Sequence, residues 1–216
     1  MRHVVFSLAL WVCAALAICN VNAASVGGFV SPDGKEEMQL PMPGNLHQQN
    51  TGGSDGYGLC VFASCRHAGR WQSDPLFEYI FDYMRTQPGG GYPDKLTAML
   101  RAAAQKQGFS IPTYIQVEDN DIEIFKVATA NGFMPCSTYG YSPSGRYGGK
   151  RIAHMVSITH ATDNWFCVLD NNYIGENNFE WMRPNEFQKV YGFPSGKGWS
   201  VYLLVNPPSP APRNKR

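Results

Sequence analysis

Gly56-Tyr57-Gly58-Leu59-Cys60-Val61-Phe62-Ala63-Ser64-Cys65-Arg66-His67-Ala68-Gly69-Arg70-Trp71 is the stretch on which the fold turns. Phe62, Ala63, Ala68 and Trp71 alternate with polar residues at helical spacing, so Cys60 to Trp71 reads as a helix entered from a glycine-bearing turn. The cysteine therefore falls on the first turn. A thiol acts as a nucleophile only as thiolate, and a helix N-terminus beside an imidazole lowers its pKa. Gly56 and Gly58 let the preceding backbone approach a substrate closely, so that amide N–H groups can face a developing oxyanion. A buried or bridged cysteine at a helix end is the competing reading of the same stretch.

Downstream of this helix, Asp74-Pro75 predicts a second one, running to about Arg85 with the aspartate as N-cap and proline at the first helical position. Pro88 to Pro93 reads as a loop. Asp94 is the expected cap of a third helix, which carries Leu96, Met99, Leu100 and Ala103 on one face and stops at Gly108. The period then changes to that of strands. Thr113 to Val117, Phe133 to Tyr139, Ile152 to Thr159, Trp165 to Leu169 and Trp199 to Val205 read as strands, with helices over Asp121 to Ala130 and Pro184 to Tyr191. Helices first and antiparallel strands second make an α+β layout, the nucleophile helix packing on the C-terminal sheet.

That sheet supplies the partners of Cys60. His154 opens one predicted strand and Asp170-Asn171 follow the next, so an antiparallel pairing brings Asp170 or Asn171 beside His154, where either can hold the imidazole in tautomer and orientation. The carboxylate of Asp170 is the better stabiliser of an imidazolium. Tyr139 to Lys150, a glycine, tyrosine and serine loop leading into His154, is either a lip on the substrate side or a plain connector.

A helix-initial Cys, a His at a strand start and an Asn or Asp at the end of the next strand, in the order Cys60, His154, Asp170/Asn171, resemble the papain-like cysteine peptidases. Asn171-Asn172-Tyr173 and Gly175-Glu176-Asn177-Asn178-Phe179 are similar to that family's Asn-Ser-Trp and Gly-Glu-Asn-Gly-Tyr runs. The aspartate and the short chain look closer to the bacteriocin-leader-peptidase-like and transglutaminase-like branches. The resemblance implies a papain-like domain over residues 58–205, hydrolysis of peptide or protein amide bonds through a thioacyl intermediate, and no cofactor. It also implies an oxyanion-hole glutamine shortly before the nucleophile and a tryptophan directly after it, positions that Ser54 and Val61 occupy here. Ser54 offers a weaker donor, while Gln48, Gln49 or Asn50 supplies an amide only through a longer loop. Transamidation, amidase action on cell-wall cross-links, and a binding module with a weakened site are the other outcomes of the same fold.

The rest of the chain bounds these readings. Met1-Arg2-His3, the apolar run Val4 to Cys19 and Val21-Asn22-Ala23 match a removable secretory signal over residues 1–23, which implies a secreted or periplasmic protein without stable membrane insertion. A formal charge of +1 gives no footprint for nucleic acid. Residues 24–57 read as an extended lead-in, and the Pro-rich, basic residues 206–216 as a disordered tail. Of the six cysteines, Cys60, Cys65, Cys136 and Cys167 lie beyond the signal. Cys136 and Cys167, both on predicted strands, are the candidates for a bridge, and Cys65 reads as a small buried hydrophobe. No metal site is expected, since His154 and His160 would stand roughly 20 Å apart along one strand.

Overall fold

The structure is a computed structural model that describes residues 24–205. The candidate signal segment (residues 1–23) and the proline-rich tail (206–216) lie outside the described residues. The described residues are mixed α+β, with five α-helices and a seven-stranded, wholly antiparallel sheet. The strands are β1 (Ser25–Gly27), β2 (Tyr114–Asp119), β3 (Cys136–Tyr139), β4 (His154–Ala161), β5 (Phe166–Leu169), β6 (Phe179–Met182) and β7 (Gly198–Leu203), in the sheet order β1-β6-β5-β4-β3-β7-β2. The helices are α1 (Cys60–Gln72), α2 (Pro75–Met84), α3 (Pro93–Gln107), α4 (Glu123–Ala130) and α5 (Pro184–Gly192).

A sheet that must be covered on both faces needs strands apolar on both sides. All eight residues of the central β4 are buried. One face carries α1, α2 and α3 on Met155, Leu169, Trp181 and Val201. The other carries α4 and α5 on Val156, Ile158, Phe166 and Val168.

Local sequence accounts for the helix ends. At α1 the chain leaves the helix at Ser73, which takes a left-handed conformation (φ 58°), and Asp74 then caps α2 by accepting from the backbone N–H of Phe77 at 2.8 Å. The expected cap at Asp94 is a turn position instead: Tyr92 is the N-cap of α3 and Pro93 its first helical residue, because proline's fixed φ suits that position and leaves Asp94 inside the first turn.

Two strands have no counterpart in the sequence reading. β6 is too short for alternation and buried throughout; β1 is three residues of the lead-in, paired with β6. The remainder of the lead-in is largely extended but lies packed: Met38, Leu40 and Met42 are buried, and Leu40 N–H donates to Thr159 O at 2.9 Å. Three imidazoles fasten it. His160 accepts from Gln39 N–H at 3.2 Å and reaches Glu36 at 2.8 Å, His47 donates to Met42 O at 3.0 Å, and His67 accepts from Gln48 N–H at 2.7 Å.

The bridge between Cys136 and Cys167 does not form. β4 lies between their strands and the two are out of register across it, which puts them more than two strand spacings, over about 10 Å, apart and beyond disulfide reach. All four cysteines of the described chain are free, and Cys65 and Cys136 are neighbours between α1 and β3.

Candidate active site

Cys60 is the first residue of α1, and the helix begins without a side-chain cap: Leu59, its N-cap, offers none. The first-turn N–H groups are thus left to other acceptors. Cys60 is a part-buried residue, and the backbone N–H groups of Val61 and Met155 lie near enough to its thiol to favour the thiolate. The register Ser157 opposite Leu169 carries Asp170, just past β5, back to the start of β4. There His154 Nε2 lies 2.9 Å from Asp170 Oδ1. A carboxylate only accepts, so Nε2 bears the proton and Nδ1 is left for the thiol, which lies close enough to raise the ring's pKa.

The electrostatics follow from this alignment. Burial pushes the Cys60 thiol up, but the hydrogen bond and charge of His154 outweigh it and bring the thiol below its ordinary value. Burial pushes His154 down, yet Asp170 and Cys60 together raise it to about 9. For Asp170, burial acts upward, and His154, the Asn172 N–H and the Tyr147 hydroxyl hold it below the usual carboxylate range. These directions all stabilise the pair of thiolate and imidazolium relative to the neutral thiol and imidazole.

Asn171 does not touch the imidazole. Its side-chain amide points the other way, toward Met155 O at 2.9 Å, Ser64 Oγ at 3.0 Å and Cys60 O at 3.1 Å, tying the start of α1 to β4.

Of the residues considered for an oxyanion amide, Ser54 and Gln49 are exposed and neither lines the cleft; the Gln48 side chain donates to Gln49 O. Asn50 does line it, and the reason is the shape of the loop. Gly52 bridges to Gly58 and Gly53 N–H donates to Tyr57 O at 2.6 Å, so residues 52–58 close on themselves and return the chain to Asn50. Leu59 N–H donates to Asn50 Oδ1 at 2.7 Å, which fixes which end of the amide is NH₂.

The thiol opens on a cavity of about 700 Å³ bounded by Tyr57, Gly91, Tyr92, Tyr147, Ile152 and Trp199. A second cavity of about 450 Å³ continues it past Arg151 and Phe193. The close approach of the 88–93 loop to α1 requires glycine: a Cβ on Gly91 would lie 2.5 Å from Val61 Cβ. From sequence, Gly90-Gly91 reads only as part of a loop, Tyr147 only as one residue of the candidate lip Tyr139 to Lys150, and Asn172 only as part of the Asn171-Asn172-Tyr173 run.

Among the described residues no cluster of three or more His, Cys, Asp or Glu side chains is placed to hold a metal ion, and no helix is long and apolar enough to cross a membrane. No protein-family model matches this chain, and no curated protein sequence matches it.

Proposed function

We propose that this chain is an exported, papain-like thiol hydrolase that cleaves amide bonds of peptide or protein substrates, with Cys60 as nucleophile, His154 as acid and base, and Asp170 as the residue that orients His154. The observation that carries the reading is the alignment of thiol, imidazole and buried carboxylate at an uncapped helix start, opening on a cleft. Export rests on the apolar N-terminal run. Bare backbone at Gly90 and Gly91 along the cleft favours an extended peptide, which can pair main chain to main chain.

In the forward reaction the Cys60 sulfur attacks the substrate carbonyl carbon, and a C–S bond forms as the carbonyl π pair moves to oxygen. The oxyanion is met by the Asn50 Nδ2–H and the Cys60 backbone N–H. As the tetrahedral centre collapses, the C–N bond breaks and His154 Nδ1 delivers its proton to the leaving amine. Water then attacks the thioester carbonyl with His154 as base, releasing the acid and the thiol.

Alkylation by iodoacetamide is the first test. Cys60 should react faster than free cysteine at neutral pH, and Cys60→Ala should abolish both labelling there and turnover; a Cys60 no more reactive than free cysteine would remove the enzyme reading. Casein and purified peptidoglycan then separate substrates: soluble fragments from neither would sink both hydrolytic versions, and incorporation of an added amine would mark a transamidase. Amide hydrolysis should fall as pH rises through about 9, where His154 loses the proton needed by the leaving amine.

A further inference from the structure

Asp170 has a second oxygen, and its partner is not one of the three residues that define the reaction. Tyr147, in the loop between β3 and β4, donates from its hydroxyl to Asp170 Oδ2 at 2.8 Å. The same hydroxyl oxygen accepts from Asn172 Nδ2 at 2.9 Å, and Asn172 Oδ1 in turn accepts from Asn50 Nδ2 at 2.9 Å. Asn50 Oδ1 accepts from Leu59 N–H, immediately before the nucleophile.

The direction of every bond in this series is forced. Leu59 N–H only donates, so Asn50 presents its oxygen there and its NH₂ to Asn172. Asn172 must then accept with oxygen and donate with nitrogen. Tyr147, having accepted, passes its own proton toward a carboxylate that can only accept. His154 Nε2–H and Asn172 N–H complete the carboxylate from the other side, both on Oδ1. The result is a ring from Leu59 through Asn50, Asn172, Tyr147, Asp170 and His154 to Cys60. It joins the lead-in, the cleft loop and the turn after β5.

We propose that Tyr147 is a positioning residue of this site: held by Asn172, its hydroxyl fixes the outer oxygen of Asp170 and so the plane in which the carboxylate holds His154 toward Cys60. The proposal rests on the hydrolase reading above. Two further features support it. The Tyr147 ring stands edge-on to His154 at 6.1 Å and to Tyr173 at 5.5 Å, so the hydroxyl has little freedom to leave. The loop that carries it is anchored at its base by the fully buried Glu180, which accepts from Ser142 Oγ and Ser144 N–H, both at 2.8 Å, and from Tyr139 OH at 2.6 Å.

A sign follows for the pH dependence. The titratable groups facing Asp170 are His154 on β4, Tyr147 on the loop and, through His154, Cys60 on α1; Tyr139 on β3, whose phenol feels both Glu180 and Asp170, stands beyond them. A donor to the charged form of a carboxylate lowers its pKa. Without the Tyr147 hydroxyl, Asp170 takes up its proton at a higher pH, and the pair of thiolate and imidazolium fails earlier as pH falls.

The test is iodoacetamide alkylation of Cys60 in the full chain from acid to alkaline pH, for wild type, Tyr147→Phe and Asn172→Ala, with thermal melts of each. In Tyr147→Phe the acid limb should move up by about one pH unit, roughly a tenfold slower reaction at a given pH on that limb. Asn172→Ala, which leaves the hydroxyl but frees it, should move the limb in the same direction by less. A wild-type-like acid limb in a folded Tyr147→Phe overturns the inference, and should that variant melt early, an unmoved limb in Asn172→Ala does so. A wild-type thiol with no reactivity above that of free cysteine strikes the hydrolase reading instead.

Discussion

The side chains of Asp170 and Asn171 leave adjacent backbone positions in opposite directions, one to the imidazole and the other to the start of α1. Their substitutions should therefore separate. Asp170→Ala removes the charge partner that lifts His154, so Cys60 alkylation at neutral pH should slow by tenfold or more, on the order of one pKa unit of lost thiolate stabilisation. Asn171→Ala strips a buried donor from the carbonyls of Cys60 and Met155 and should cost about 1–3 kcal/mol in urea unfolding, with the thiol's titration curve unmoved. The chain order of Cys60, His154 and Asp170/Asn171 was readable because strand ends can be counted from periodicity. What each of two neighbouring side chains faces was not, since a strand end does not dictate it. Tyr147 was unreadable for another reason: its role consists of contacts with residues that follow it by a whole hairpin.

Helix α1 shows how an element can be correct in outline and specialised at both ends. Its N-terminus lacks a side-chain cap where the thiol sits, and near its C-terminus Gly69 lets α2 cross almost in contact: a Cβ there would lie 2.5 Å from Glu78 N and 2.8 Å from Phe77 C. Both neighbours are backbone, so Gly69→Ala should displace α2 and cost about 1–3 kcal/mol by chemical denaturation, against the small gain in helix propensity that alanine brings at an open site. The bounds of helices α1 to α3 were legible to within a residue or two, and so were the cap and proline of α2, while the cap of α3 stands at Tyr92 rather than Asp94. Strand β6 was not. Phe179-Glu180-Trp181-Met182 is buried on both faces and holds a carboxylate satisfied by Tyr139, Ser142 and Ser144, so neither alternation nor polarity betrays it.

Across the whole molecule, two apolar layers enclose the sheet and the lead-in is sewn over one end of it by His47, His67 and His160. Burial holds all three below the ordinary imidazole value, His67 at about 3. The unfolded chain protonates them near pH 6.5. Their contribution to stability is thus complete above that pH and is lost as pH falls toward the folded values, by up to about 1.4 kcal/mol per pH unit for each imidazole that is still neutral when folded. The urea midpoint should drop between about pH 7 and pH 5, before unperturbed carboxylates titrate; an unchanged midpoint would show that these rings bear no load. The lead-in read as extended because nothing local distinguishes a packed strap from a loose one; its partners are Thr159, His160, Asn171 and Gly175, far along the chain. That separation has a consequence in time. The bond from Asn50 to Asn172 spans 122 residues and that from Asn171 to Cys60 spans 111, so closing them comes late in a chain that must first bring its ends together. Until β4 and β5 have formed, Cys60 is a cysteine on an unanchored helix with neither imidazole nor carboxylate beside it. A nascent or unfolded copy of this chain should carry an ordinary, slow thiol, and the appearance of rapid alkylation during refolding would date the closure of the site.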